Sequence, residues 1–226
     1  MPRIVRDDAD NPDPGFAELY ASLPEPERPE PWLSLAEATQ GSVLYLGIGA
    51  GRLAAPLARA GVPIVGVDAH PAMLDEARRR LPRAELIQSR FVDLELPGRR
   101  FELVIAPSSV GELPGCREAA ARHLAPRGRT VFELTNRHWI AAGAGPGFRV
   151  VGRRGSAYEI EVDYEGGFRQ VAEIDPPAPE RADEWLAEVG LRLVRLDGWT
   201  DRDVETSPTF FVTAQSSRRS RGTRNH

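Results

Sequence analysis

Cysteine is nearly absent from this 226-residue sequence, which contains only Cys116. One cysteine cannot form a disulfide within the chain, and it cannot supply the clustered thiolates of a structural zinc site. A chain of this length buries enough surface to form a stable core without such cross-links. We therefore expect no disulfide framework, no metal and a reducing compartment.

Long apolar runs and an excess of basic residues are also missing. No apolar run approaches the ~20 residues that a membrane-spanning helix needs. The first residues, MPRIVRDDADNPDPG, lack the apolar stretch of a secretory signal. The formal net charge of −4 disfavours a general nucleic-acid binder, because affinity for a phosphate backbone comes mainly from lysines and arginines. We expect a cytoplasmic protein that binds neither membrane nor nucleic acid.

The two ends of the chain differ in composition from its centre. Residues 1–15 are rich in proline and aspartate, and residues 216–226 contain no apolar side chain. We expect a flexible N-terminus and a disordered tail on either side of one domain over residues 16–215. The arginines of the tail are either solvated or form an anion-binding arm. Within the domain, residues 16–40 hold two short helical patterns around a proline-rich linker, and we expect them to form an N-terminal helical lid.

From residue 42 onward, short apolar runs alternate with helical patterns. The runs VLYLGIG, VPIVGVD, AELIQ, FELVIAP and RTVFELT are separated by segments such as HPAMLDEARRRL. This alternation predicts an α/β fold with a doubly wound, mostly parallel sheet. Residues 140–176 alternate apolar and polar side chains between glycine-bearing turns, which predicts a small β-meander insertion. LRLVRLDGW and TFFVTAQ predict an antiparallel closing hairpin that completes seven strands.

A glycine-rich loop lies between the first of these strands and the next helix. Gly47, Gly49 and Gly51 form a G-x-G-x-G pattern, which lets the backbone turn tightly and approach a ligand without Cβ interference. Asp68 ends the next strand, so its carboxylate should lie beside the loop and accept hydrogen bonds from both ribose hydroxyls of an adenosine. A dinucleotide fingerprint needs glycine where this chain has Arg52, which disfavours an NAD-dependent oxidoreductase. A glycine-rich turn without a ligand is the simpler alternative.

The segments VLYLGIGAGRLAAPLARAG and VGVDAHPAMLDEARRRL resemble motif I and the following region of class I S-adenosylmethionine (SAM) dependent methyltransferases. The resemblance runs from Val43 to Asn136. It implies a Rossmann-like methyltransferase fold, SAM as the cofactor, and methyl transfer to an N, O or C atom of a small molecule by a monomer or homodimer. The alternative is a SAM-fold protein without methyl transfer, either a non-methylating enzyme or a partner scaffold.

The fourth strand is followed by a segment that narrows the class of acceptor. Ala106-Pro107-Ser108-Ser109 stands where some methylases have an Asn/Asp-Pro-Pro-aromatic tetrad. That tetrad belongs to methylases that grip a planar amide or an adenine amine. Its absence, together with the acidic charge balance, leaves a small metabolite as the favoured acceptor.

The resemblance implies that Asp68 binds the ribose hydroxyls and that Ala69 and Met73 border the adenine. Two positions depart from the family pattern. Tyr45 stands where an acid usually lies near the cofactor's amino end, and Arg90 stands where many members have an acid that binds the adenine amino group. The predicted cofactor-binding residues are Tyr20, Gly47, Ile48, Gly49, Gly51, Asp68, Ala69, Met73, Arg90, Phe91 and Pro107.

The lid helices and the meander each allow two interpretations. Tyr20 and Trp32, on the lid helices, either close over the cofactor or pack in the core. The meander, which carries Tyr158, Tyr164 and Phe168, either roofs the pocket or forms a dimerisation surface.

Methyl transfer from a sulfonium requires alignment and exclusion of water rather than a fixed catalytic triad, so the catalytic residue is left unassigned. His138 is the candidate base because the pKa of imidazole lies near neutrality, and Glu133 ranks below it; a surface histidine is the alternative for His138. His70 and His123, near helix ends, are expected to face solvent. The loops after the fourth and fifth strands supply the predicted mouth of the site: Pro107, Ser108, Ser109, Glu112, Asn136, Arg137, His138 and Trp139.

Overall fold

The structure is a computed structural model that describes residues 1–6, 11, 13–199 and 203–217. Its strands are β1 (Arg3–Arg6), β2 (Val43–Leu46), β3 (Ile64–Asp68), β4 (Glu85–Gln88), β5 (Phe101–Ala106), β6 (Leu124–Thr135), β7 (Phe148–Arg154), β8 (Ala157–Tyr164), β9 (Phe168–Ile174), β10 (Leu191–Gly198) and β11 (Thr209–Ser216). Its α-helices are α1 (Pro14–Ser22), α2 (Trp32–Glu37), α3 (Ala54–Arg59), α4 (Pro71–Arg80), α5 (Cys116–His123), α6 (Arg137–Ala141) and α7 (Ala182–Ala187). Short 3₁₀ turns occupy Phe91–Asp93, Val110–Glu112 and Pro179–Arg181.

Seven strands form one sheet in the order β10-β11-β6-β5-β2-β3-β4. The five strands from β6 to β4 are parallel, whereas β11 is antiparallel to both β6 and β10. The predicted doubly wound sheet with an antiparallel closing hairpin is therefore confirmed. The chain reverses its direction of travel across the sheet at β2, which has β3 on one side and β5 on the other. In open α/β sheets a crevice forms at such a switch point, beyond the carboxyl ends of the strands.

Both faces of the large sheet are covered, which explains why its central strands read as continuous apolar runs. All four residues of β2 are buried. Leu44 and Leu46 pack in the cluster that contains α5 and α7, and Tyr45 packs on the opposite face with α2 and α3. Trp32 lies edge-on to the Phe211 ring at 5.5 Å and is 2% exposed. Core packing is therefore the role of Trp32.

A second sheet has the order β1-β9-β8-β7. β7, β8 and β9 are antiparallel, which confirms the predicted meander. β1 adds to its edge, parallel to β9, with Arg3 opposite Phe168. The segment predicted as a flexible N-terminus, residues 1–15, contains β1, in which Val5 is fully buried against α1. Four residues are too few to show a strand periodicity, and their pairing partner lies far along the chain.

His123 is buried, so the expectation that it faces solvent is wrong. Its Nε2 accepts a hydrogen bond from the Leu96 N–H at 3.1 Å, and its Nδ1 lies 2.9 Å from the Ala119 carbonyl oxygen. Burial lowers the pKa of this imidazole. The neutral ring therefore joins the end of α5 to the segment before β5.

Parts of the predicted flexible ends lie outside the described residues. Residues 7–10 and 12 fall outside them at the N-terminus, and residues 218–226 fall outside them at the predicted tail. Ser216, the first residue of that predicted tail, is the last residue of β11. None of the helices described has both the length and the apolar character that crossing a membrane requires.

Candidate functional site

The glycine loop leaves β2 as a tight turn that is fixed by its neighbour β3. The N–H groups of Gly47 and Ile48 both donate to the Val67 carbonyl, at 2.8 and 3.0 Å. Gly47, Gly49 and Gly51 have positive φ angles of 69°, 55° and 79°. This left-handed backbone favours glycine strongly over residues with a side chain.

The three glycines differ in what a side chain would meet. A Cβ at Gly47 would lie 2.7 Å from Val110 Cγ1, and one at Gly51 would lie 3.0 Å from Leu81 Cδ1. A Cβ at Gly49 would meet nothing closer than the Met73 sulfur at 3.9 Å. Gly47 and Gly51 therefore allow close packing, whereas a Cβ at Gly49 would make a single ordinary contact, so the loop is least crowded at Gly49.

Asp68, at the end of β3, points its carboxylate at this loop. Its Oδ2 accepts from the Gly49 N–H at 2.8 Å, and its Oδ1 accepts from the His70 N–H at 2.9 Å. Burial raises the pKa of Asp68, while these hydrogen bonds act against that rise. Each carboxylate oxygen has a second lone pair. The arrangement thus fits a ligand that carries two adjacent hydroxyls, as a ribose does.

His70 follows the same strand and is buried, contrary to the expectation that it faces solvent. Its Nε2 lies 3.0 Å from the Asp13 carbonyl oxygen, just before α1. Its Nδ1 is a buried ring nitrogen with no hydrogen-bond partner in the described part of the chain. The ring connects α1 to the segment that carries Asp68.

The loop is covered by α1 and by the second sheet. Ala50 and Met73 share a cluster with apolar residues of α1, and the partly buried Tyr164 and Phe168 pack against it. Tyr20, on α1, lies with its phenol oxygen 3.3 Å from Gln170 Oε1, to which Tyr164 also donates at 2.9 Å. The Tyr20 and Tyr164 rings are 6.4 Å apart.

Arg80, on α4, ties this cover to the loop. Its two terminal nitrogens donate to the carbonyls of Ala50 and Ala21, both at 2.7 Å. One guanidinium thereby holds the glycine loop and the end of α1 together. Sequence reasoning missed this residue, because a basic helix end is ordinarily solvated.

The side chains of the remaining predicted cofactor-binding residues do not all lie beside the glycine loop. Ala69 directly follows Asp68, whereas Phe91 is buried in the core cluster with Val67. Arg90 donates to Asp93 at 2.7 Å on the surface. Ile48 points into the core, since a Cβ at Gly66 would lie 2.3 Å from its Cδ1; only its backbone is available to a ligand.

Two buried carboxylates lie at the ends of β5 and β6. Ser108 and Ser109 follow β5 with left-handed φ angles of 56° and 61°, a strained conformation that is common at functional sites. The Ser108 N–H donates to Glu133 Oε2 at 2.7 Å. The Thr135 N–H donates to Glu112 Oε1 at 2.5 Å, and the Ser109 and Thr135 hydroxyls are 2.9 Å apart.

The electrostatics of this pair are unusual. Burial, together with the charge of Glu133, raises the pKa of Glu112 to about 8. Burial also raises the pKa of Glu133, and burial with the charge of Glu133 raises the pKa of Tyr45. Glu112 Oε2 is buried without a hydrogen-bond partner among the described residues. Sequence reasoning placed Glu112 at the mouth of the site without a role and ranked Glu133 second.

The predicted residues after β6 form α6 and its contacts, a helix that sequence reasoning missed. Asn136 caps it, accepting from the His138 N–H at 2.9 Å, and its amide group donates to the carbonyls of Val204 and Ser207. The half-exposed His138 ring lies 2.8 Å from the Glu180 carboxylate. Trp139 packs edge-on against Phe148 at 5.0 Å, inside the second sheet's own cluster.

Arg137 is held by the second sheet and the segment that follows it. Its Nε donates to the Pro176 carbonyl at 2.8 Å, and its terminal nitrogens bond to the Ser156 carbonyl and the Asp175 carboxylate. Arg137, which was predicted at the mouth of the site, is therefore engaged in contacts that hold the fold together.

We expect Glu112→Gln to change how stability depends on pH. The folded protein holds a proton on Glu112 up to about pH 8, whereas the unfolded chain releases it near the ordinary pKa of 4.5. Stability conferred by this group is thus complete below pH 4.5 and lost as pH rises towards 8, by up to about 4 kcal/mol between pH 5 and 8. Urea unfolding at pH 5, 6.5 and 8 should show a smaller decline in the glutamine variant. Equal declines in both proteins would contradict the assignment.

Sequence comparison finds a known family in the part of the chain that holds the glycine loop. Residues 43–128, from the start of β2 into β6, match a family described as a methyltransferase domain. A demethylmenaquinone methyltransferase of Tropheryma whipplei is 36% identical over 94 residues, which cover 39% of this chain and 39% of that protein. The chain thus matches about two fifths of the length of its curated relatives.

Solved structures extend the similarity over most of the chain. The methyltransferase CcbJ from Streptomyces caelestis has a TM-score of 0.68 at 23% identity, over 90% of this chain and 96% of that one. The glycopeptide N-methyltransferase MtfA, solved as a complex with S-adenosyl-L-methionine, has a TM-score of 0.62 at 18% identity, over 86% and 96% of the two chains. At such identities the similarity shows that the fold is shared.

Proposed function

We propose, from the premise that this chain contains a class I SAM-dependent methyltransferase domain, that it transfers a methyl group from SAM to a small-molecule acceptor. The observation that carries the proposal is the meeting of Gly49 and Asp68. The loop is least crowded at Gly49, and the Asp68 carboxylate is fixed beside it by the N–H groups of Gly49 and His70. A nucleoside bound against Gly49 has its ribose within reach of a carboxylate.

When bound, SAM supplies a methyl group attached to a positively charged sulfur. Asp68 accepts hydrogen bonds from the ribose hydroxyls, and the backbone of the loop, including Ile48, lines the methionine part. Ala69 and the Met73 side chain border the adenine. Pro107 and the two serines that follow it face the acceptor, at the end of the neighbouring strand.

The cover over the loop has a chemical role in this proposal. Methyl transfer requires a dry site in which acceptor, methyl carbon and sulfur are aligned. The apolar cluster of α1 and Met73, with the rings of Tyr164 and Phe168 packed against it, excludes water from the nucleoside side. We place the reaction in the cytosol, carried out by a monomer or homodimer.

Binding and transfer can be tested in sequence. Titration calorimetry with SAM, with S-adenosylhomocysteine and with NADH as a negative control should show binding of the first two only. Methyl-labelled SAM incubated with the protein and a cell extract should then yield a labelled small molecule. Absence of SAM binding would refute the proposal. Binding without transfer would favour a SAM-fold protein that does not methylate, a reading that Tyr45 supports because the family usually has an acid at that position.

A further inference from the structure

The carboxylates at the ends of β5 and β6 suggest the chemical class of the acceptor. We infer that the acceptor is an amine, which binds as an ammonium ion beside Glu112 and Glu133 and gives its proton to Glu112. This inference rests on the proposed methyl transfer and goes further by naming the reacting atom and the residue that prepares it.

The position of the pair on the sheet separates it from the nucleoside. Asp68 ends β3, on one side of β2, whereas Glu112 and Glu133 bond to backbone at the ends of β6 and β5, on the other side. Neighbouring strands are about 4.8 Å apart, so β6 is about 10 Å from β2 and farther still from β3. The glycine loop lies between the two groups. The carboxylates thus lie on the side of the glycine loop away from Asp68.

The turn that carries Glu112 also touches the glycine loop. Val110 begins this 3₁₀ turn, and its side chain occupies the space beside Gly47. Two residues later, Glu112 accepts from the Thr135 N–H. One short turn therefore fixes the carboxylate relative to the loop, which is what a residue in contact with the reacting atom requires.

The hydrogen bonding of the pair leaves one acceptor unused. Glu112 Oε1 and Glu133 Oε2 each accept from a backbone N–H, but Glu112 Oε2 is buried and has no partner in the part of the chain that the structure describes. Buried polar atoms are almost always paired. Once Glu112 has lost its proton, a ligand that donates a hydrogen bond satisfies this oxygen, and a positive charge on the ligand offsets the charges of Glu112 and Glu133. An ammonium ion does both.

The charged and titratable neighbours of the pair include one cation, Arg52. Burial and the charges of Glu133 and Asp68 raise the pKa of Tyr45, on β2. Burial raises the pKa values of Glu133 and Tyr45, and the positive charge of Arg52 opposes that rise. The Arg52 guanidinium itself donates to the Pro24 carbonyl at 3.1 Å. His138, the base predicted from sequence, is engaged by Glu180 instead.

The reaction step balances with one proton transfer. The ammonium of the acceptor gives one proton to the Glu112 carboxylate, and its nitrogen gains a free electron pair. The nitrogen–carbon bond to the methyl group forms as the carbon–sulfur bond breaks, and the electron pair of that bond goes to sulfur. The products are a methylated ammonium ion and the neutral thioether of S-adenosylhomocysteine. Glu112 then releases its proton to solvent.

Ligand affinity tests the inference independently of turnover. The protein saturated with S-adenosylhomocysteine is titrated with three matched pairs: methylamine and methanol, cyclohexylamine and cyclohexanol, glucosamine and glucose. In at least one pair the amine should bind at least tenfold more tightly than the alcohol. If no pair shows this preference, or if an alcohol is preferred, the inference is wrong. Failure to bind S-adenosylhomocysteine at the start would instead refute the proposed function.

Variants of Glu112 then test whether its carboxylate is the group that recognises the amine. Glu112→Gln should abolish the preference for the amine while leaving the affinity for S-adenosylhomocysteine within twofold, and Glu112→Asp should restore part of the preference. Glu118→Gln, an exposed acid on α5, should behave as the wild type. Loss of S-adenosylhomocysteine affinity in the folded Glu112→Gln variant would assign the carboxylate to the cofactor's own amino group and overturn the inference.

The pH profile distinguishes a proton acceptor from a structural residue. With the preferred amine, kcat/KM of the wild type should rise with pH to a midpoint near 8, the pKa of Glu112. In Glu112→Gln this rising limb should disappear and kcat/KM should fall at least 100-fold, as expected when a general base is removed. An unchanged profile in the variant would overturn the role assigned to Glu112.

Discussion

Gly49→Val is expected to weaken SAM binding at least 100-fold. A Cβ at residue 49 would lie 3.9 Å from the Met73 sulfur, on the side of the loop where we propose that the ribose and methionine parts of SAM bind. A branched side chain there competes directly with the ligand. The left-handed backbone of residue 49 adds strain of about 1–2 kcal/mol for a residue with a side chain.

A matched control separates the steric effect from the strain. Gly61 also has a positive φ, 84°, and a Cβ there meets no atom within 4 Å. Gly61→Val carries a similar backbone strain at the end of α3, away from the loop. Calorimetric titration with SAM should show wild-type affinity for Gly61→Val and lost affinity for Gly49→Val, with similar melting temperatures. Near-wild-type affinity in Gly49→Val would mean that the ligand lies elsewhere.

Asp68→Ala is expected to weaken SAM binding by about 1–3 kcal/mol, or roughly 5- to 150-fold, because hydrogen bonds to charged groups are strong and their loss leaves donors unsatisfied. Part of this loss comes from the N–H groups of Gly49 and His70, which lose their acceptor. Asp75→Ala, an exposed acid on the adjoining helix α4, serves as the control.

The ribose contact itself can be isolated with a second ligand. The wild type should bind adenosine more tightly than 2′-deoxyadenosine, and Asp68→Ala should bind the two about equally. If the variant retains the full preference for adenosine, another group reads the hydroxyl and the placement of the ribose is wrong.

The site could be predicted from sequence where a local pattern fixes it. Gly47, Gly49 and Asp68 lie at strand ends that an apolar run marks, and parallel strands bring their carboxyl ends to one edge. The closeness of the glycine loop to Asp68 then follows from the order of the strands alone. Trp32 and His123 were harder, because burial on a helix depends on which element packs against it.

Other features depend on pairing between distant residues. β1 forms only because β9 offers an open edge, and RIVR by itself carries too few residues to show a period. Glu112 gains its role from a hydrogen bond to Thr135 and from the nearby Glu133. Such contacts join residues far apart in the chain, and no local sequence pattern marks them.

The pairing of β1 with β9 has a consequence for how a ligand enters. The second sheet, which covers the glycine loop, joins β1 near the start of the chain to β9, with Arg3 opposite Phe168, and β1 is a four-residue strand at the edge of that sheet. Short edge segments of this kind open by local unfolding at far lower cost than a core strand. Releasing β1, with α1 following it, would uncover the proposed cofactor site while the seven-stranded sheet stays intact.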